Sequence, residues 1–252
     1  MGRIIACSNH KGGVGKTTSV VNIGAGLARL KKKVLLVDMD PQANLTMSFG
    51  IKNPEYTIYE GLKGEHKLVP INVDTNVDVV ASTLDLSGAE MELSSEAGRE
   101  YIFTELIEPF VNQYEYIIID CPPSLGLLTI NALTAADELF IPLQPHYLAI
   151  KGLTKIIEVK DKVKKRLNKK IEITGVFVTQ FDKRKILHRD VLDTINTYFQ
   201  DKVFDTKIRD NIALAEAPSA GTDIFRYNPS CFGAEDYMEL CKEIIKRHED
   251  KK

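Results

Sequence analysis

The stretch HKGGVGKTTS, residues 10–19, decides how the rest of the chain is read. It follows a short apolar run, RIIACS (3–8), that reads as a buried strand. Behind it, Val20, Val21, Ile23, Leu27 and Leu30 recur at helical spacing within residues 17–31. Strand, glycine-rich turn and helix together are the setting of a phosphate-binding loop. Gly12, Gly13 and Gly15, with Val14 between them, let backbone N–H groups turn inward toward a phosphate, and the helix adds its positive end. Lys16 supplies a charge for the β- and γ-phosphates, Thr17 a hydroxyl for Mg²⁺, and Thr18 can reach the α-phosphate. The common pattern G-x-x-x-x-G-K-[ST] would place its first glycine at position 10. That position is His10, and a second lysine, Lys11, follows it.

Outward from this loop, apolar runs alternate with helical patterns. Strands are expected at 33–40, 77–82, 114–123, 138–145, 171–181 and, briefly, 202–204. Helices are expected near 95–107, 125–136, 149–168, 188–199 and 233–248. Continuous apolar strands separated by helices predict an α/β fold: a mostly parallel twisted sheet with helices on both faces. Ligands in such folds bind beyond the carboxyl ends of the strands. Four polar segments fall there: 9–18, 38–42, 120–124 and 179–184.

Two of these segments carry carboxylates suited to phosphoryl transfer. YEYIIIDCPP (114–123) has the form of a Walker B strand, and Asp120 at its end can hold the hydration shell of Mg²⁺ opposite Thr17. DMDPQ (38–42) places Asp38 and Asp40 at the end of another strand. A carboxylate near the γ-phosphate can orient the attacking water. Pro41 fixes the turn after Asp40, which makes Asp40 the one expected to face the nucleotide.

The 252 residues are 44% hydrophobic, with a formal net charge of -2 and a pI near 6.2. No linker, low-complexity run or internal repeat divides them, so one domain over 1–252 is expected. The overall charge gives no hint of nucleic-acid binding; such binding would have to come from a local basic patch. Cys7, Cys121, Cys231 and Cys241 form no C-x-x-C pair and read as thiols in a reducing cytosol. No stretch has the ~18 apolar residues of a membrane span and no secretory leader is recognisable, so a cytoplasmic protein is expected.

KGGVGKTT, VDMDPQANLT, IIIDCPPSLGLLTINAL and LAEAPSAG together resemble the ParA/Soj family of partition ATPases, of the deviant Walker A or MinD/ParA class. The similarity runs from about residue 3 to 240. It implies a slow, partner-stimulated ATPase using ATP and Mg²⁺, with Lys11, Lys16 and Asp40 as catalytic residues. Lys11 would reach across a nucleotide-sandwich homodimer to the partner's phosphates, in the manner of a charge supplied in trans. Gly12 would then lie at the dimer seam. Thr179–Gln180 and Asp210–Asn211 would line the adenine pocket. The family more often has Gln where this chain has His10.

Within the class, the tail ELCKEIIKRHEDKK makes a poor membrane face, no cysteines are placed for a shared cluster, and no helix-turn-helix segment is expected before the first strand. The short Soj-like type remains. It implies non-specific binding of double-stranded DNA, association with the nucleoid and release by a ParB-like partner. A related positioning ATPase for another cargo, a MinD-like site-placement ATPase and a metabolic ligase on the same loop are the alternatives. KDKVKKRLNKK (160–170) holds seven Lys/Arg in eleven positions, scattered around a helix as on a solvated surface. Arg184 matches a family DNA contact. A second family arginine corresponds to Ala213, so Arg209, Lys207 or Arg226 would have to substitute.

Overall fold

The computed structural model describes residues 2–146 and 149–250. Its strands are β1 (Arg3–Cys7), β2 (Val34–Asp38), β3 (Ile71–Asp74), β4 (Val77–Val80), β5 (Tyr116–Asp120), β6 (Glu138–Leu143) and β7 (Glu172–Val178). They form one sheet in the order β3-β4-β2-β5-β1-β6-β7. Every neighbouring pair is parallel except β3 with β4. The helices are α1 (Lys16–Arg29), α2 (Asn44–Ser48), α3 (Ile58–Leu62), α4 (Leu86–Glu92), α5 (Ile102–Ile107), α6 (Leu127–Ala135), α7 (Ala149–Arg166), α8 (Ile186–Phe199), α9 (Ala213–Glu216), α10 (Ile224–Tyr227) and α11 (Phe232–Glu249).

The sheet is apolar on both faces because successive side chains of a strand point to opposite sides. Ile4, Ala6, Leu35, Val37, Ile117 and Ile119 pack in one layer with Phe103, Leu128, Leu133 and Ile156. The intervening residues, among them Ile5, Cys7, Leu36 and Ile118, pack in the other with Val20, Ile23, Leu27, Tyr237, Leu240 and Ile244. The α11 segment thus packs its apolar stripe on α1, with Asp236 and His248 buried and most of its other charges outside. Among the described residues no helix is long and apolar enough to cross a membrane.

Three expectations need correction. The strand expected at 202–204 is a 3-10 turn over Gln200–Lys202 and one parallel bridge, Val203 to Val176. The helix expected at 95–107 is confined to Ile102–Ile107, because Gly98 takes a left-handed φ of 70°. The antiparallel edge strand β3 went unforeseen: INVD has no buried residue and shows no apolar run. Register places Cys7, Asp120 and Asp38 in one row across the middle of the sheet, at the carboxyl ends of β1, β5 and β2.

Candidate nucleotide site

The loop between β1 and α1 turns through Gly13 (φ 72°) and Gly15 (φ 81°), both left-handed, where a Cβ would be strained. Gly15 is the N-cap of α1 and brings no side-chain acceptor, so the first-turn N–H groups of α1 are left for a ligand. Val14 is buried, and its carbonyl accepts the Thr179 hydroxyl at 2.8 Å, tying the loop to the end of β7. Lys16 is buried, and its Nζ donates to the Lys11 carbonyl at 3.4 Å. The ammonium is therefore folded into the concavity of the loop. Thr17 and Thr18 remain half-exposed beside it.

Asp120 lies one strand away and is fully buried, yet among the described residues neither carboxylate oxygen has a hydrogen-bond partner. Burial and the neighbouring Asp38 carboxylate push it well above the usual carboxylate range. Thr17 and the Lys16 ammonium pull the other way without completing a hydrogen bond of ordinary geometry. The Ser8 hydroxyl, also fully buried, is likewise unpartnered. A buried, unpaired carboxylate is costly, and the donors present fit a hard cation that keeps part of its water shell.

The two aspartates of DMDPQ are used differently. Asp38 accepts the Thr46 N–H at 2.9 Å, the Thr46 hydroxyl at 2.7 Å and the Asp40 N–H at 3.2 Å. Those bonds lower its pKa but do not offset burial, which keeps it raised. Asp38 thus fixes α2 against β2. Asp40 is buried, and among the described residues its carboxylate is met only by the Gln42 N–H at 2.9 Å. Its carbonyl accepts the Ser82 hydroxyl at 3.0 Å.

Gly15, Thr18, Thr179, Gln180, Asp210 and Asn211 line one cleft of about 130 Å³, continuous with the phosphate loop. Both segments expected at the base therefore reach one place. Sequence reasoning missed the cleft's other walls, among them Ile208 and Tyr237, which lie outside every motif, and Leu214, which opens LAEAPSAG but was assigned no role. It also missed Gln144, which donates to the Gly13 carbonyl at 2.9 Å and accepts from Lys11 Nζ at 3.4 Å. A Cβ on Gly12, which is exposed, would meet nothing within 4 Å.

The three arginines are placed apart. Arg184 is 85% exposed, and its guanidinium is held by Asp182 in its own loop. Arg209 is bound to Asp236 and Glu235 and stacks over the Phe232 ring at 4.1 Å. Arg226 pairs with Asp74 and Asp223. Ala213 is buried.

Residues 2–173 match the family model described as an AAA domain. Over 97% of this chain and 98% of the relative, 47% of residues are identical to the sporulation initiation inhibitor protein Soj of Bacillus subtilis (strain 168). The chromosome-partitioning ATPase Soj of Treponema pallidum (strain Nichols) is 43% identical over 98% of both chains. The chain belongs to the Soj/ParA family of chromosome-partitioning ATPases. Solved structures agree on this fold. A Mycobacterium smegmatis protein described as cobyrinic acid a,c-diamide synthase, holding ADP and magnesium, superposes with a TM-score of 0.87 at 32% identity, covering 100% of this chain and 97% of that one. The septum site-determining protein MinD of Pyrococcus horikoshii, complexed with Mg-ADP, gives 0.80 at 26% identity, covering 100% and 99%. The Soj/ParA assignment rests on sequence likeness over nearly the whole chain, which the first of these structures does not match in identity.

Proposed function

We propose that this chain, acting as one domain over residues 1–252, is a cytoplasmic, nucleoid-associated DNA-partition ATPase. It binds Mg²⁺-ATP, dimerises on it, holds DNA without sequence preference and is released when a ParB-like partner stimulates slow hydrolysis. The observation that carries the reading is Asp120: a buried carboxylate with no partner, one strand from Lys16 and Thr17. Thr17 and Asp120 would hold Mg²⁺, which neutralises charge developing on the β- and γ-phosphates. Lys16 and the backbone of Gly12–Thr18 would cradle the phosphates. Thr179, Asp210 and Asn211 would border the base, and Asp40 would orient water.

Lys11 has the trans role in this reading. Gly12 supports it, because among the described residues nothing excludes a side chain there. The constraint on that position would then come from a second copy. Two inactive variants test this. Lys11→Ala and Asp40→Ala should each bind ATP and hydrolyse at least tenfold more slowly. In a mixed dimer, the Asp40→Ala subunit lends its Lys11 to a site whose own Asp40 is intact. Turnover should return on mixing to a sizeable fraction of wild type. Mixed dimers that form without recovering turnover would place Lys11 in its own subunit's site.

For DNA, Arg184 is the exposed contact, while Arg209 and Arg226 would first have to leave their ion pairs. Arg184→Glu should weaken ATP-dependent DNA binding and reduce the salt slope by about one. Fluorescence anisotropy on unrelated duplexes reads this directly. An unchanged slope would move the patch to Arg209 or Arg226.

A further inference from the structure

The loop Cys121–Gly126 runs from Asp120 into α6, and two residues remote in sequence hold it. Near its middle, the Pro123 carbonyl lies 3.2 Å from His10 Nδ1, on the phosphate loop. At its end, the Glu90 carboxylate of α4 accepts the Leu128 N–H at 3.3 Å, in the first turn of α6. Gly126 is the N-cap of α6 and supplies no side-chain acceptor. Glu90 thus provides from another element the negative cap that the helix lacks. The approach is close: a Cβ on Gly126 would stand 2.2 Å from Glu90 Oε1 and 2.8 Å from Oε2. Gly126 has φ -84°, which any residue adopts. The crowding at Gly126 comes from the movable end of the Glu90 side chain and not from the backbone.

The segment that carries Glu90 also touches the backbone of Asp40, the candidate catalytic aspartate. Ser82, at its start, donates to the Asp40 carbonyl at 3.0 Å, and its N–H donates to the Thr46 hydroxyl at 2.9 Å. Residues 82–90 therefore brace the Asp40 turn at one end and the far end of the Asp120 loop at the other. Neither contact is made through a residue that would meet the nucleotide.

We propose that Glu90 is a positioning residue for hydrolysis, setting the loop between Asp120 and α6 from outside the phosphate site. The proposal rests on the ATPase reading above. A loop held only at Asp120 and by His10 would be free to relax at its α6 end, and displacement of an active-site segment by about 1 Å can cost up to ~100-fold in rate. Binding of ATP, which uses the phosphate loop and the base cleft, would be spared.

Two substitutions remove the same contact by opposite means. Glu90→Ala deletes the carboxylate. Gly126→Ala keeps it but fills the space it occupies, and the flexible side chain must swing away. Each should lower kcat on the order of tenfold with KM for ATP within about twofold. The double variant should be no worse than Glu90→Ala, because the new methyl then has room. Glu90→Gln keeps an acceptor oxygen and should recover most of the turnover. Hydrogen exchange supplies a readout independent of activity. The Leu128 amide should lose protection in Glu90→Ala and Gly126→Ala and keep it in Glu90→Gln. Wild-type turnover in Gly126→Ala, additive losses in the double variant, or a rise in KM matching the fall in kcat would each overturn the proposal. A wild-type chain that binds ATP and never turns it over would instead overturn the hydrolysis reading beneath it.

Discussion

Asp120 and Glu138 are both buried carboxylates at the ends of interior strands, Asp120 along the carboxyl-end edge of the parallel strands and Glu138 along the amino-end edge. Glu138, at the start of β6, is fully provided for. Arg3 donates to it at 3.0 Å, the Thr174 hydroxyl at 2.6 Å, and His248 of α11 lies 3.2 Å away, with Tyr116 on the other side of its ring. These partners outweigh the burial that would raise it and hold Glu138 down to about 2. Asp120, at the end of β5, has burial and like charge against it and no bond to its carboxylate. Three β-strand termini and the last turn of α11 thus meet at an edge whose charges balance within the chain. The other edge is left unbalanced, and an unbalanced buried charge is where an external cation and its ligand belong.

The larger effect should come from the satisfied edge. Glu138→Gln leaves Arg3 and His248 without the negative charge they share and should cost about 3 kcal/mol of folding stability, read by urea denaturation. Because the folded Glu138 titrates below its unfolded value, its contribution is present above about pH 4.5 and is lost as pH falls toward about 2. The variant should lack that part of the acid slope. A loss below about 0.5 kcal/mol would mean the cluster is packing and not charge balance.

Asp120→Asn should behave in the opposite sense and with smaller size. Removing an unpaired buried charge should raise the stability of the nucleotide-free chain by about 1 kcal/mol. The same change should erase the additional stabilisation that Mg²⁺ gives in the presence of ATP, measured as a shift in melting midpoint. A destabilised variant that still responds to Mg²⁺-ATP would show that Asp120 is partnered within the chain, and the contrast with Glu138 would fail.

Much of the site was legible because its chemistry is local in sequence. Gly13, Gly15, Lys16, Thr17 and Thr18 are contiguous, and the strand before them and helix after them are short-range patterns. Asp120 could be read because four apolar residues precede it in β5. The adenine-side segments came from the family resemblance, and the structure gathers Thr179, Gln180, Asp210 and Asn211 into the cleft beside Thr18. Gln144, Ser82 and Glu90 were invisible, since each is an ordinary polar residue whose partner lies many positions away. The misjudged 202–204 segment failed for a related reason. KVF is apolar enough for a strand, but the turn at Gln200, with φ 50°, leaves only Val203 aligned with β7.

The sequence by itself determined the alternation of strands and helices, the phosphate loop and the presence of Lys11 beside it. Those follow from hydrophobic period and from backbone freedom at glycine, which act over a few residues. Only the tertiary structure decided which of two aspartates is committed to Thr46, which carboxylate stays unpaired, and that Glu90 crowds Gly126. Each of these depends on a neighbour brought close by sheet register or helix packing, and pairing or desolvation of a charge depends on that neighbour and not on the residue alone.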